Sequence, residues 1–330
     1  MSDLNLTLGC VAYDHVRDLE TGAVKPEGIA LRVIHCDVPE DVFGRFMRTR
    51  EWDISEMSFG RYVSLRSRGA NAFTAIPVFP SRVGRISAFY VPADSPIKDA
   101  SELAGKRVGT PEWAQTATIY ARGWLAEEAG VDLASVHWVQ TGVDHPGRPE
   151  PVALDLPAGI EVERVTDRSI WQMVTEGDLD AFVAAQMPRA MVAGDARVRR
   201  LYPDHRSAEE AYHTKTGIFP IMHVIVIMND VLEEYPWVAM NMFKAFEQAK
   251  NNSLARLTSP MFSYIPVPWG FVDAMRAQAR FGPDIWPYGL EPNRPTLEGF
   301  LRFADAQGVT HKPLAPEDLF FPSTLTMTKT

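Results

Sequence analysis

The sequence is poor in cysteine, in positive charge and in long apolar runs, and each shortage excludes a class of protein. Its 330 residues include only 2 cysteines. These are Cys10 and Cys36, which lie in apolar surroundings typical of small buried thiols and match no metal-binding spacing. A formal net charge of −9 at pH 7 argues against nucleic acid or an anionic membrane as the main partner. No apolar run is long enough to cross a bilayer. We therefore expect a protein with no metal centre and neither kind of partner.

The N-terminus lacks the features of an export signal. The first ten residues, MSDLNLTLGC, contain no basic region, and their apolar positions alternate as they do in a strand. Unless a leader has been removed, we expect a cytoplasmic protein.

The composition is that of an α/β protein with two lobes. Hydrophobic residues make up 46% and charged residues 23%, as in ordinary globular proteins, and 330 residues exceed what a single core usually supports. Strands alternate with helices, which predicts mostly parallel sheets whose ligands collect at the carboxyl ends of strands. We expect lobe one to comprise residues 1–91, including a strand at 86–91, lobe two to comprise 92–217, and 218–330 to return to lobe one.

The segment Gly105–Ala117, GKRVGTPEWAQTA, predicts a short buried strand followed by a helix that begins near Gln115. The start of a helix presents unpaired N–H groups and a partial positive charge, so it can bind a carboxylate. The preceding residues 99–109, DASELAGKRVG, resemble the entry to the second lobe of type II periplasmic binding proteins. That resemblance implies a two-lobed clamp around a small anion.

Six further segments resemble one enzyme family within that fold. They are YDHVR at 13–17, EMS at 56–58, PVFPSR at 77–82, PGRPE at 146–150, GIFPIMH at 217–223 and WPYGLEPNR at 286–294. Together they resemble the 4,5-dihydroxyphthalate decarboxylase family, and the resemblance runs almost from end to end. It implies a cofactor-independent enzyme that converts this small aromatic diacid to protocatechuate and carbon dioxide. Such an enzyme must hold one carboxylate, protonate the ring carbon that loses the other, and accept a phenolic proton.

The candidate catalytic residues are His223, Glu112 and Asp14. Histidine titrates near neutral pH, so His223 can supply a proton to the ring carbon; its alternative role is that of a core histidine bonded to a backbone carbonyl. Glu112 and Asp14 are placed to accept the phenolic proton. The alternative role of Glu112 is to stabilise the start of a helix, and that of Asp14 is to cap a turn. His15 and His145 also fall on predicted cleft loops, and with His223 they leave open a metal site, although their spacing matches no metal motif.

Arg82 and Arg148 are the candidate carboxylate clamps, because the planar guanidinium suits bidentate pairing. A structural ion pair is the alternative for Arg82 and a solvated loop charge for Arg148. Arg17 and Arg294 are weaker candidates, since both could serve the structure of a lobe. We expect Ser58, Thr110, Gln115 and Thr116 to supply neutral hydrogen bonds, and Phe79, Trp113 and Trp286 to stack on a flat ring, although tryptophan is more often core.

Two other functions remain open at this stage. A binding protein that captures an aromatic or sulfonated anion for a transporter or sensor would need the same fold and clamp but no acid. A different cytoplasmic enzyme of the same fold, such as one in cofactor biosynthesis, is the third alternative. The lack of a leader and the family-like segments around His223 and Trp286 favour the decarboxylase. A homo-oligomer is compatible with the sequence.

Overall fold

Two mixed α/β sheets organise the chain, for which a computed structural model describes residues 3–69 and 72–326. The first sheet has the strand order β2-β1-β3-β11-β4 and the second β10-β5-β9-β6-β7-β8. The strands are β1 (Leu4–Val11), β2 (Ile29–Cys36), β3 (Ile54–Ser58), β4 (Phe73–Ile76), β5 (Phe89–Pro92), β6 (Arg107–Thr110), β7 (His137–Gln140), β8 (Val162–Arg164), β9 (Ala181–Val183), β10 (Val198–Arg200) and β11 (His223–Met228).

Helices cover both sheets and connect their strands. They are α1 (Arg17–Glu20), α2 (Pro39–Thr49), α3 (Phe59–Ser67), α4 (Thr116–Glu127), α5 (Ile170–Glu176), α6 (Arg189–Val192), α7 (His205–Thr216), α8 (Asn229–Glu234), α9 (Trp237–Leu257), α10 (Gly270–Phe281) and α11 (Arg294–Ala306). Within the described ranges, no helix combines the length and apolarity needed to cross a bilayer. The two cysteines are free and buried, as the sequence predicts.

The strand at the first crossing lies in the second sheet, whereas we expected it in the first. The strand predicted at 86–91 was placed in lobe one, but β5 pairs antiparallel with β9 and β10 of the second sheet. The chain therefore leaves the first sheet after β4, which ends at Ile76. Sequence pattern cannot show which sheet a short apolar strand joins, because both sheets bury such strands. The predicted limit at residue 91 therefore moves upstream of Phe89, and the predicted limit at residue 217 stays a prediction.

The second crossing brings the chain back into the middle of the first sheet. β11 inserts between β3 and β4 and runs antiparallel to both. Because β11 is antiparallel to β3, the first residue of β11 meets the carboxyl end of β3, and His223 lies opposite Ser58. The carboxyl end of β1 lies at the same edge, since β1 and β3 are parallel. The register of one antiparallel strand thus brings a histidine to the edge where ligands of α/β sheets bind.

Helix α4 is buried on most of its surface, and this anchors its first turn. Its sequence TATIYARGWLAE is rich in small residues that allow close packing. A Cβ at Gly123 would come within 2.3 Å of the ring of Phe303 in α11. Because the helix has little freedom to move, its N-terminus at Thr116 is held against the first sheet.

Candidate active site

A cleft of about 600 Å³ lies between the two sheets, within the size range of small-molecule sites. One wall comes from the first sheet and carries residues of α2, the start of α3 and the start of β11. The other wall comes from the second sheet and carries the loop that precedes α4 together with Arg148, Pro149 and Pro151. The cleft therefore lies at the carboxyl ends of strands, where the sequence predicted a site.

His223 lines this cleft and is held from behind by a buried carboxylate. Glu56, in β3, is fully buried and accepts hydrogen bonds from the Val11 N–H at 2.9 Å, the Tyr13 hydroxyl at 2.6 Å and His223 Nδ1 at 2.6 Å. Because the carboxylate accepts, Nδ1 carries the proton of this bond. The Nε2 atom has no hydrogen-bond partner in residues 3–69 and 72–326, and the half-buried ring borders the cleft. This geometry is that of an imidazole oriented to exchange a proton with a bound molecule.

The charge of Glu56 is maintained by its partners. Burial by itself would raise the pKa of Glu56, but the hydrogen bond and charge of His223, with the bonds from Tyr13 and Val11, outweigh burial and lower the pKa. Burial and the charge of Glu56 raise the pKa of Tyr13, so its hydroxyl stays a donor. The edge of Phe43 contacts the imidazole, with ring centroids 5.0 Å apart. The histidine is therefore fixed by one carboxylate and one aromatic ring.

Glu56 and Tyr13 were not predicted as site residues, although both lie in family-like segments. Glu56 is an acidic residue within the apolar strand ISEMS, and a buried carboxylate needs donors to remain stable. That pattern was the available signal. Tyr13 carried none, because only the fold brings it 2.6 Å from Glu56.

Arg61, also unforeseen, is a cleft cation that forms no ion pair within the described part of the chain. It is the third residue of α3 and half-buried, and its Nε atom is buried without a hydrogen-bond partner. Burial lowers the pKa of Arg61, while the nearby charge of Glu112 opposes this. Across the described chain, no side chain forms an ion pair with it. A desolvated guanidinium without a partner is costly, so the site is suited to a bound anion.

Arg85 is a second cation in the cleft wall. Its Nη1 donates to the Ala185 carbonyl at 2.9 Å, while Nε and Nη2 contact the thioether sulfur of Met222 at 3.0 and 2.7 Å. Burial lowers the pKa of Arg85 to about 10. Sulfur is a weak acceptor, and in the part of the chain that the structure describes no carboxylate forms an ion pair with Arg85. Two arginines of the cleft thus form no ion pair with the described residues, although the charges of Glu112 and Glu209 act on Arg61 and Arg85 respectively.

Glu112 and Arg148 lie in the cleft as the sequence predicts, but they neutralise one another. Arg148 Nε donates to Glu112 Oε1, and Nη2 lies 3.6 Å from Glu40 in α2 on the opposite wall. Burial raises the pKa of Glu112, with the charge of Arg148 opposing it. Arg148 therefore links the two walls, and Glu112 is a cleft carboxyl with increased proton affinity.

Two polar residues predicted for the site, Ser58 and Thr116, meet where the two walls touch. The Ser58 and Thr116 hydroxyls lie 3.1 Å apart, and Thr116 Oγ1 accepts from the Gly60 N–H at 2.9 Å. A Cβ at Gly60 would come within 2.6 Å of the Ala114 carbonyl, so only glycine allows this approach. Gln115 also lines the cleft, and its Oε1 is buried without a hydrogen-bond partner. It can accept a hydrogen bond from a ligand hydroxyl.

Arg82 is not in the cleft, which corrects the predicted clamp. Its guanidinium donates to the carbonyls of Phe219 at 3.2 Å and Pro287 at 2.7 Å, and to Asn293 Oδ1. Neighbouring side chains of an extended segment point in opposite directions, and here Ser81 borders the cleft. Arg82 therefore fastens the 286–293 segment to the second crossing.

Asp14 and Thr110 are likewise committed to structure. Asp14 accepts from Ser253 Oγ at 2.6 Å and Arg256 Nη2 at 3.2 Å, and so ties the end of β1 to α9. Its partners lower its pKa despite partial burial. Thr110 is fully buried and donates to the Glu112 carbonyl at 3.3 Å. The predicted roles of both residues at the substrate are therefore not supported.

Of the three aromatic residues expected to stack on a ring, Trp113 and Phe79 are core residues and the partly buried Trp286 packs against the core. Trp113 is fully buried, donates from Nε1 to the Gln307 carbonyl at 2.8 Å, and lies under the Arg122 guanidinium at 3.7 Å. Phe79 is fully buried, and Trp286 donates to its carbonyl at 3.0 Å. None of the three borders the cleft. Although they lie near strand ends in the sequence, these aromatic side chains fill the space behind the site.

The remaining histidines and arginines serve the surrounding structure. His15 donates to the Pro80 carbonyl at 3.0 Å, and burial lowers its pKa to about 4. His145 is exposed on a loop. Over residues 3–69 and 72–326, no three His, Cys, Asp or Glu side chains are arranged to hold a metal ion. Arg17 lies 3.4 Å from Asp14, and Arg294 pairs with Glu291 and Glu317.

Solved structures with the same fold define the class of the protein. The periplasmic aliphatic sulphonate binding protein SsuA from Escherichia coli superposes with a TM-score of 0.55 at 11% identity, covering 98% of this chain and 99% of its own. The desulfurization enzyme DSZB superposes with a TM-score of 0.50 at 16% identity, covering 97% of each chain. The chain therefore has the two-lobed periplasmic-binding-protein fold, which confirms the predicted fold class.

Curated relatives identify the family within that class. A 4,5-dihydroxyphthalate decarboxylase from Comamonas testosteroni is 33% identical over 326 residues, which is 98% of both chains. One from Pseudomonas putida is 33% identical over 214 residues, 64% of this chain and 83% of the relative. No family model matches the sequence. The chain belongs to the 4,5-dihydroxyphthalate decarboxylase family, and the predicted family resemblance is confirmed.

Proposed function

We propose that the chain is a carboxy-lyase that removes one carboxylate from 4,5-dihydroxyphthalate, without a cofactor, to give protocatechuate and carbon dioxide. The observation that carries the proposal is the combination, in one cleft, of an unpaired Arg61 with the oriented Glu56–His223 pair. A binding protein needs only the first of these. The curated relatives, both named as decarboxylases, favour the enzyme over a binding protein.

The substrate carries two adjacent carboxylates, which match Arg61 and Arg85, the two cleft arginines that form no ion pair with the described residues. We assign the carboxylate that remains to Arg61, because its buried Nε has no hydrogen-bond partner and it forms no ion pair with the described residues. Arg85 and the N-terminus of α4 supply further positive potential. The Gln115 side chain, with its unpaired buried Oε1, can accept from a ring hydroxyl. This arrangement fixes the ring by its charged edge and by its hydroxylated edge.

His223 supplies the proton that replaces the departing carboxylate. Its imidazolium donates from Nε2 to the ring carbon, a new C–H bond forms, and aromaticity is lost there. The C–C bond to the carboxylate then breaks, its electron pair returns to the ring and carbon dioxide leaves. Glu56, hydrogen-bonded to Nδ1 at 2.6 Å, fixes the ring orientation and balances the imidazolium charge. His223 then recovers a proton from solvent.

Glu112 is the group that we assign to the phenolic proton. A hydroxyl para to the reacting carbon pushes electrons toward it as its proton leaves, which makes the carbon easier to protonate. Glu112 borders the cleft, and burial raises its pKa, so it is a stronger base than an exposed glutamate. The proton returns to the phenolate oxygen when the ring regains aromaticity, so one proton is consumed overall.

Incubation of the purified protein with 4,5-dihydroxyphthalate tests the proposal directly. We expect equimolar protocatechuate and carbon dioxide, measured by chromatography and by trapped gas. Phthalate, which lacks both hydroxyls, is the matched control and should bind without reacting. Tight binding of 4,5-dihydroxyphthalate with no product at any pH would contradict the enzyme and leave the solute-binding alternative.

A further inference from the structure

A second cavity lies on the other side of Arg85 from the cleft. It encloses about 200 Å³ and is bounded by α4, α7, α10 and the crossing residues 218–220. We name this cavity the hinge pocket, because it lies where the chain returns to the first sheet. Its walls come from elements of both halves of the molecule, so a molecule bound there would contact all of them.

Aromatic rings form the interior of the hinge pocket. His213 and Phe281 pack edge to face with ring centroids 4.6 Å apart, and Phe219 lies 5.2 Å from Phe281. Tyr120 and Trp124 of α4 line the opposite wall. An apolar cavity of about 150 Å³ can hold a benzene ring, so the hinge pocket has room for one substituted ring.

The charged groups of the hinge pocket favour an anion. Arg206 and Arg280 share Glu210, at 3.0 and 3.2 Å. Glu209 accepts from the Ser87 N–H at 2.9 Å. Arg85 has no ion-pair partner among the described residues and borders both cavities. Its acceptors are one carbonyl and a thioether, so a ligand carboxylate on either side would be a better partner.

We propose that the hinge pocket is a second binding site for a small aromatic monocarboxylate. The rings accommodate the apolar body of the ligand, and Arg85 binds its carboxylate. Since one guanidinium serves both cavities, an anion in the hinge pocket weakens the binding of a dianion in the cleft. Protocatechuate, the product under the proposed function, belongs to this ligand class; that link alone rests on the proposed function.

Isothermal titration with benzoate and with 3,4-dihydroxybenzoate tests this site. Ala277, which lines the pocket on α10, is replaced in Ala277→Trp to fill it, and Ala279→Trp on the exposed face of the same helix is the matched control. We expect Ala277→Trp to weaken binding at least tenfold. Ala279→Trp should remain within about twofold of the unaltered protein.

The opposite pattern overturns the proposal. Benzoate binding that survives in Ala277→Trp, or that is lost in Arg61→Ala, assigns the ligand to the cleft. Should Ala277→Trp not fold, crystals of the unaltered protein soaked in 4-bromobenzoate locate the bromine by anomalous scattering, and its absence from the hinge pocket refutes the site. None of these measurements requires turnover, so a failure of the decarboxylase proposal leaves them valid.

Discussion

Replacing Glu56 by glutamine removes the charge behind His223 with little change of side-chain shape. The single oxygen of the amide can replace only one carboxylate oxygen, so it accepts either from Val11, whose N–H lies 2.9 Å from Oε2, or from Tyr13 and His223, whose donors both lie 2.6 Å from Oε1. A hydrogen bond to a charged group contributes about 1.5–3 kcal/mol, and about 1.4 kcal/mol corresponds to tenfold in rate. If Glu56 acts through His223, Glu56→Gln should lower turnover about 10- to 150-fold.

The double variant determines whether the two residues act as one unit. His223→Ala should lower turnover by about 10²–10⁴-fold, with substrate binding largely intact. Adding Glu56→Gln to His223→Ala should then cost little more, because groups that act together are not additive. Protocatechuate formation in the single and double variants, with folding checked by circular dichroism, measures this.

Asp53→Asn is the matched control for loss of a carboxylate from the same strand region. Asp53 accepts from the Thr7 N–H and hydroxyl, both at 2.7 Å, away from the cleft, so turnover should stay within about twofold. If the effects of Glu56→Gln and His223→Ala multiply fully in the double variant, Glu56 does not act through His223. If His223→Ala keeps near-normal turnover, the histidine is structural.

Three further outcomes follow from the same contacts. Arg61→Ala should weaken substrate binding as well as turnover in steady-state kinetics, since it removes an interaction present in ground and transition states. Arg82→Ala should instead lower the melting temperature, because three acceptors lose their donor. The reverse pattern would show that Arg82, not Arg61, binds the carboxylate. Gly60→Ala should lower substrate affinity at least tenfold in titration calorimetry, because its Cβ would come within 2.6 Å of the Ala114 carbonyl; unchanged affinity would show that the walls need not touch there. The lowered pKa of Glu56 stabilises the fold above the ordinary glutamate pKa, and this contribution is lost as pH falls through the folded value. Denaturant titrations from neutral to acid pH should therefore show a smaller acid-induced loss of stability in Glu56→Gln than in the unaltered protein, and equal losses would contradict the assignment.

General rules about sheets located the site, but they did not identify every side chain that forms it. His223, Ser58 and Thr116 lie at the cleft because strand ends and helix starts converge there. The sequence pattern predicts these strand ends and helix starts. Arg82 shows the limit of such reasoning. It follows a strand end as predicted, yet it faces the opposite side from its neighbour Ser81, and one-residue alternation is set by tertiary pairing.

The unforeseen residues share a different property, since their roles depend on partners distant in the sequence. Glu56 acquires its role from His223, which is 167 positions away, and Arg61 is notable only because nothing in the described chain pairs with it. The acidic residue in an apolar strand marks Glu56 as unusual, but neither its pairing with His223 nor the missing ion pair of Arg61 can be derived from local pattern. The buried aromatic residues Trp113 and Phe79 show the converse, because proximity to a site along the sequence does not expose a side chain to it.

Turnover of 4,5-dihydroxyphthalate in D₂O, followed by proton NMR and mass spectrometry, tests the central claim most directly. If a protonated group in the cleft replaces the departing carboxylate, each protocatechuate should carry one deuterium at the ring carbon that lost it. His223→Ala should form this product about 10²–10⁴-fold more slowly. Deuterated product formed at the unaltered rate by His223→Ala, or no product from the unaltered protein, would contradict the account.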